Sequence, residues 1–196
     1  MVNQDDLIFN YFEEYGFHGG MAARKWLTKE YLPNLDGTIL FIGVNNYNAI
    51  NCEIVKDPSK YYTIDIFEER SEAGGNKLYP ENNFIGNFRE HENVYDNICF
   101  FGCHGYEGYG IDNESILKDL KHSHSLVKDN GTFLWGPNDE IKINPVYPDG
   151  EEALDEPIAM LNFAEYLTTY PDLPFSKYEV LKKENWENLI WWGRKK

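Results

Sequence analysis

Apolar positions along this chain recur at two different spacings, and the alternation between them sets out the elements. Leu7, Ile8, Tyr11, Phe12 and Tyr15 fall on one helix face, and a second helical stretch runs from Met21 to Leu32 through Trp26, Leu27 and Tyr31 until Pro33. "HGG" between them and "LDG" at 35–37 are turns. The pattern then shortens to apolar runs, "TILFIGV", "KYYTIDIF", "NFIGNF", "YDNICFFGC" and "TFLWG", each of which predicts a strand. The fourth is apolar almost throughout, which predicts burial on both faces. "YNAINCEIVK" predicts a short helix ended by Asp57-Pro58, because a residue before proline avoids helical geometry. "EERSEAGGNKLYPEN" is polar with a Gly-Gly break, and "HGYEGYG" is a glycine-rich loop. Asp112 or Asn113 caps a helix through Val127 with Ile116, Leu117, Leu120 and Val127 on one stripe, and "KDNG" turns the chain into the fifth strand.

The tail changes character. "NDEIKINPVYPDGEEALDE" is a long polar connection, and Pro157 suits the first turn of a helix reaching about Thr169. "KYEVLKK" and "ENLIWWGRK" predict two closing strands joined by a turn near 184–186. Strands alternating with helices predict an α/β fold, a seven-stranded, mostly parallel sheet with helices on both faces and a C-terminal antiparallel hairpin. The whole chain, 1–196, reads as one domain, with 1–35 a helical cap, 36–136 the first half, and 137–196 the connection, helix and hairpin. In such a sheet ligands gather at the carboxyl ends of the strands, where their order reverses. The loops after Val44, Ile66, Gly86 and Cys103 therefore matter most.

Composition narrows the partners. A net charge of −15 argues against a broad nucleic-acid surface, and "LKK" at 181–183 and the terminal "GRKK" read as solubilising positions. The balance favours a neutral or cationic small substrate, or a protein partner. No run of 18 apolar residues suggests a membrane span, and the first residues lack the pattern of a signal peptide. Three unpatterned cysteines, Cys52, Cys99 and Cys103, fit a reducing compartment, so the expectation is cytoplasmic. No metal site is expected: Cys99 and Cys103 lie about 13 Å apart along a strand, and His122 and His124, two apart on a helix, diverge.

The strand ends carry the candidate chemistry. Gly43 lets the backbone approach a ligand, and Asn45 and Asn46 tolerate left-handed geometry in place of further glycines. The same asparagines also suit a plain strand-to-helix turn capped at 46–48. Asp65 stands 22 residues after Gly43, where a carboxylate can accept from a ribose diol, and Ile66 can cover a purine face. Asn87 and Phe88 end the third strand, an amide and a ring suited to a base edge. His104, Tyr106, Glu107 and Tyr109 sit at the mouth of the fourth, with His104 nearest neutrality for proton transfer. A glycine-rich connection whose aromatics cover the sheet edge is the alternative reading there.

From Asp36 to Gly193 the chain resembles the class I S-adenosylmethionine-dependent methyltransferases, which have a Rossmann-like fold. "ILFIGVNNY", "YYTIDIF", "NFIGNF", "YDNICFFG" and "DNGTFLWG" stand in the order of that family's motifs, and the closing hairpin separates it from nicotinamide-dependent oxidoreductases. The resemblance implies S-adenosylmethionine as cofactor, with Gly43 and Asn45 along its methionine part and Tyr47 also among the cofactor-site residues. It implies Asp65 on the ribose, Ile66 on adenine, and Asn87 with Phe88 at the adenine edge. His104, Tyr106 and Glu107 become the candidate catalytic residues, and an oxygen or nitrogen of a small molecule, such as a sugar, the methyl acceptor. The family has an acid where this chain has Phe41, and glycines where it has Asn45 and Tyr47. A binding or scaffold protein that has kept the sheet and lost the cofactor is the second reading.

Overall fold

Ile39–Ile42 (β1) is buried at every position, and its side chains alternate between two cores. Leu40 and Ile42 join Ile64, Ile98, Phe100, Phe133 and Trp135 on one face. Ile39 and Phe41 join Tyr61, Cys99 and Leu134 on the other. A two-residue period with apolar residues at both phases requires cover on both sides of the sheet. The computed structural model describes residues 27–44, 48, 50–101, 113–136, 175–180 and 191–195.

The other strands are Tyr61–Asp65 (β2), Asn83–Ile85 (β3), Tyr95–Phe101 (β4), Val127–Gly136 (β5), Phe175–Val180 (β6) and Trp191–Lys195 (β7). Among the described residues they form a seven-stranded sheet in the order β3-β2-β1-β4-β5-β7-β6. β1 pairs in parallel with β2 and β4, β2 with β3, and β4 with β5. β7 lies antiparallel between β5 and β6, the arrangement expected of the closing hairpin. The chain order reverses at β1 and β4, and in sheets of this kind ligands gather in a crevice at the carboxyl ends of such strands.

Three α-helices occur among the described residues, Asn51–Ile54 (α1), Glu68–Gly74 (α2) and Asn113–Leu126 (α3). α3 covers the first core with Leu120 and Leu126. Leu27 and Leu32, with Ile50 and Ile54 from the α1 region, cover the second. Both faces are thus covered, as the apolar runs require.

Local boundaries differ from the sequence reading in four places. Pro33 does not end the helical segment but lies inside a single 3-10 turn, Leu32–Asn34, where its missing N–H costs nothing. α1 stops at Ile54, before Asp57-Pro58; Asp57 instead caps the turn Pro58–Lys60 by accepting from the Ser59 N–H. The polar stretch after β2 forms α2, which has no apolar stripe to betray it. Val127 belongs to β5 rather than to α3, and "KDNG" is a kink within that strand, with Asn130 at φ 65° and a register shift against β4.

The turn Phe88–Glu90 carries the chain from β3 toward β4, and α3 holds it. Arg89 donates from Nε and a terminal nitrogen to both oxygens of Asp119, at 2.5 and 2.9 Å. Asp119 is fully buried and Arg89 partly so. His122 Nε2 lies 2.8 Å from the Phe88 carbonyl, and His91 Nε2 lies 2.8 Å from the Tyr95 hydroxyl. Arg89→Met removes the guanidinium from a buried carboxylate, so unfolding in urea at pH 7 should show a loss of about 3 kcal/mol. Adding Asp119→Leu should recover part of it.

His91 also makes stability depend on pH. Burial, and then the neighbouring His122, hold its pKa below the ordinary 6.5. His124 is lowered too, by burial and Lys195 against an opposing pull from Asp129. The neutral rings are therefore favoured in the folded state, and the unfolded chain takes up protons first as pH falls. Stability is complete above about pH 6.5 and declines below it toward the folded values. His91→Phe should flatten part of that decline in urea midpoints measured from pH 7.5 to 5.

Candidate functional site

The crevice begins at Gly43, whose φ of 77° is open to glycine at little steric cost. Its N–H continues the parallel ladder to the Ile64 carbonyl at 3.0 Å. The next N–H, of Val44, turns away from the ladder and donates to Asp65 Oδ2 at 2.7 Å. The Gly43 carbonyl accepts from the Asn48 side-chain amide at 3.3 Å. Every polar atom of the Gly43 main chain and the Val44 N–H are thus held by the protein.

Asp65 ends β2 and is 3% exposed. Besides Val44 it receives the Phe67 N–H on Oδ1 at 2.8 Å. One carboxylate joins the loop after β1 to the loop after β2, with a separate oxygen for each N–H. A carboxylate offers about four lone-pair directions, so further hydroxyl donors fit its geometry from the crevice side. Ile66 follows, half-buried, and Phe67 carries the Arg70 guanidinium 4.5 Å from its ring centroid.

Gly86 lies beside Asp65, with its N–H donating to the Asp65 carbonyl at 2.8 Å. At φ 150° it stands where side chains are strained, and a Cβ there would meet nothing within 4 Å. Gly86 thus leaves open space beside the end of β2, on the outermost strand and two strands from β1, a cradle of a kind that suits the sugar and base of a nucleoside. Asn87 is exposed, and its side-chain oxygen accepts the Arg89 N–H at 3.0 Å. Gly43, Asp65, Ile66 and Asn87 therefore stand at the carboxyl ends of three adjacent strands, β1, β2 and β3.

Phe88 does not join them. Its ring is fully buried, 5.0 Å from Phe100 and 5.4 Å from His122 between centroids, so a base edge cannot reach it. The turn after Asn87 directs that side chain into the core. Asn45, Tyr47, His104, Tyr106 and Glu107 lie outside the described residues. Two residues of this region carried weak sequence signals: Gly86 ends a strand run, and Asn48 is the last residue of "NNYN". Among the described residues no group of three or more His, Cys, Asp or Glu side chains could hold a metal ion. No described helix is long and apolar enough to cross a membrane.

Comparison with known proteins gives the fold. No family model matches the chain. A curated relative, Protein Ycf2 of Angiopteris evecta, is 26% identical over 139 residues, covering 66% of this chain and 6% of the relative. The chain therefore spans a small part of that protein's length. Among solved structures, an rRNA methylase from Streptococcus thermophilus superposes with a TM-score of 0.52 at 11% identity, covering 92% of this chain and 99% of that one. The fibrillarin pre-rRNA processing protein of Methanococcus jannaschii gives 0.53 at 12% identity, covering 90% and 74%. The S-adenosylmethionine-dependent methyltransferase SibL gives 0.52 at 13%, covering 90% and 57%. The fold is the Rossmann-like fold of class I methyltransferases.

Replacement of Asp65 tests the junction independently of any ligand. Asp65→Asn leaves one acceptor for two backbone donors. It should cost about 1–3 kcal/mol in urea unfolding, and hydrogen exchange should quicken at the Val44 or Phe67 amide.

Proposed function

We propose that this chain is an S-adenosylmethionine-dependent methyltransferase acting on an oxygen or nitrogen of a small-molecule acceptor in the cytoplasm, as a single domain. The observation that carries this reading is the cradle of Asp65 and Gly86 at the carboxyl ends of β2 and β3, beside the strand where the order reverses, in a sheet whose last pair places β7 between β5 and β6. Asp65 would hold the ribose hydroxyls, Ile66 would pack on adenine, and the Asn87 amide nitrogen would meet the base edge. Gly43 and Asn45 would lie along the methionine part, with Tyr47 also at the cofactor site.

When bound, the cofactor supplies a methyl group already activated by its sulfonium. The protein's part is then to align the acceptor and exclude water. His104, Tyr106 and Glu107 follow β4 in the chain and supply candidates to take the acceptor's proton. A net charge of −15 supports a neutral or cationic acceptor over RNA, even though some proteins of similar fold are named for rRNA.

A binding protein without activity is the second reading. It is favoured by the backbone donors that already engage both Asp65 oxygens.

Titration with S-adenosylhomocysteine separates the two. A ligand present at about 100 times its dissociation constant should add roughly 2.7 kcal/mol of stability, seen as a rise in melting temperature. Gly86→Val, which fills the open cradle, should abolish that rise. No shift at millimolar ligand overturns the cofactor reading. Transfer of a labelled methyl group to small molecules but not to RNA then supports the acceptor class, and the reverse overturns it.

A further inference from the structure

The loop after β1 lacks the run of glycines that lets a backbone settle against a ligand, having Gly43 and then Val44, Asn45, Asn46 and Tyr47. We infer that Asn48 is a positioning residue for this loop, fixing the Gly43 carbonyl so that the Gly43–Val44 peptide faces the crevice in one orientation before any ligand arrives.

Three observations support this. Asn48 is 3% exposed, a depth at which an amide needs partners, and its side-chain nitrogen donates to the Gly43 oxygen. On the other side of the same peptide, the Val44 N–H is taken by the Asp65 carboxylate. The peptide is therefore gripped at its oxygen by Asn48 and at its nitrogen by Asp65, and cannot flip without breaking both bonds. Such a flip turns the chain about ψ of Gly43 and φ of Val44, and glycine leaves the first of these unrestrained by a side chain. The single glycine that gives the loop its turn is also the one that leaves it loose. Asn48 removes that freedom, so less ordering is left for the ligand to accomplish on binding.

The inference rests on the cofactor reading for its ligand, but its structural half does not. In Asn48→Ala, hydrogen exchange at the Val44 amide should quicken whether or not a ligand is present. Calorimetric affinity for S-adenosylhomocysteine should fall about 3- to 10-fold, the range of one neutral hydrogen bond. Asn51→Ala is the control. Asn51 is equally buried and donates to the Tyr61 hydroxyl at 3.2 Å, away from the loop. It should lower the urea midpoint yet leave affinity and Val44 exchange unchanged.

Equal weakening by the two variants, or unchanged affinity and exchange in Asn48→Ala, overturns the positioning role and leaves the cofactor reading intact. Quickened exchange in Asn48→Ala alone supports the grip. Failure of the wild-type protein to bind S-adenosylhomocysteine overturns the cofactor reading, and with it the stated ligand of this inference.

Discussion

One carboxylate holds the carboxyl ends of three strands of this sheet together. Asp65 accepts the N–H of Val44 from the neighbouring loop and the N–H of Phe67 from its own, and is almost completely buried while doing so. The loop after β1 leaves its strand at Gly43, where the ladder bond to Ile64 is the last regular one. Beyond that point the backbone has no strand neighbour to pair with, and Val44 would be an orphaned donor without Asp65. The same residue shapes the cradle, because the Asp65 carbonyl binds the Gly86 N–H and sets the end of β3 beside it. Three strand ends are thereby placed relative to one another by a single residue.

The strands that lead to that end are braced by what lies beneath. β1 is sealed by a core on each side, and the turn after Asn87 is held to α3 through Arg89 and Asp119 and through His122 and the Phe88 carbonyl. The opposite end is fixed in a different way. Thr38 gives both its N–H and its hydroxyl to Asp96 at 2.7 Å, and Lys128 joins them at 3.0 Å. Burial acts to raise the Asp96 pKa, but these donors outweigh it and hold the carboxyl below its usual range. Gly37 must be glycine there, since a Cβ would fall 2.6 Å from that carboxylate. Each end of β1 is thus tied to a neighbouring strand by an aspartate, Asp96 below and Asp65 above.

Much of this was legible in the chain. Apolar runs with no polar phase gave β1 and β4, and their alternation with helices gave the parallel sheet. Asp65 stood out by its distance from Gly43. What could not be read was where a side chain points once the chain leaves regular structure. Phe88 looked available because it follows a strand end, yet a 3-10 turn rotates its ring into the core against Phe100. α2 was invisible to periodicity, since its buried residues Ser71 and Gly74 are small or polar. Val127 falls in phase with the α3 stripe, so periodicity alone places it in the helix. It is buried either way, and only the pairing with Tyr95 shows that it begins a strand.

The same sealing explains why Phe41 is not the acid that the resembled family carries. Its ring is fully buried and lies 6.4 Å from that of Tyr61, among Ile39, Cys99 and Leu134. A carboxylate at that position would lose its water and have no cation among those neighbours, and burying such a charge without a partner is strongly unfavourable. Polar functions at this end of the sheet must therefore come from residues just past the sealed segment. Asp65 and Asn48 are so placed, one at the last position of β2 and the other beyond the turn, and each grips the Gly43–Val44 peptide. The polar groups described at this end are thus set around a fully apolar strand rather than within it.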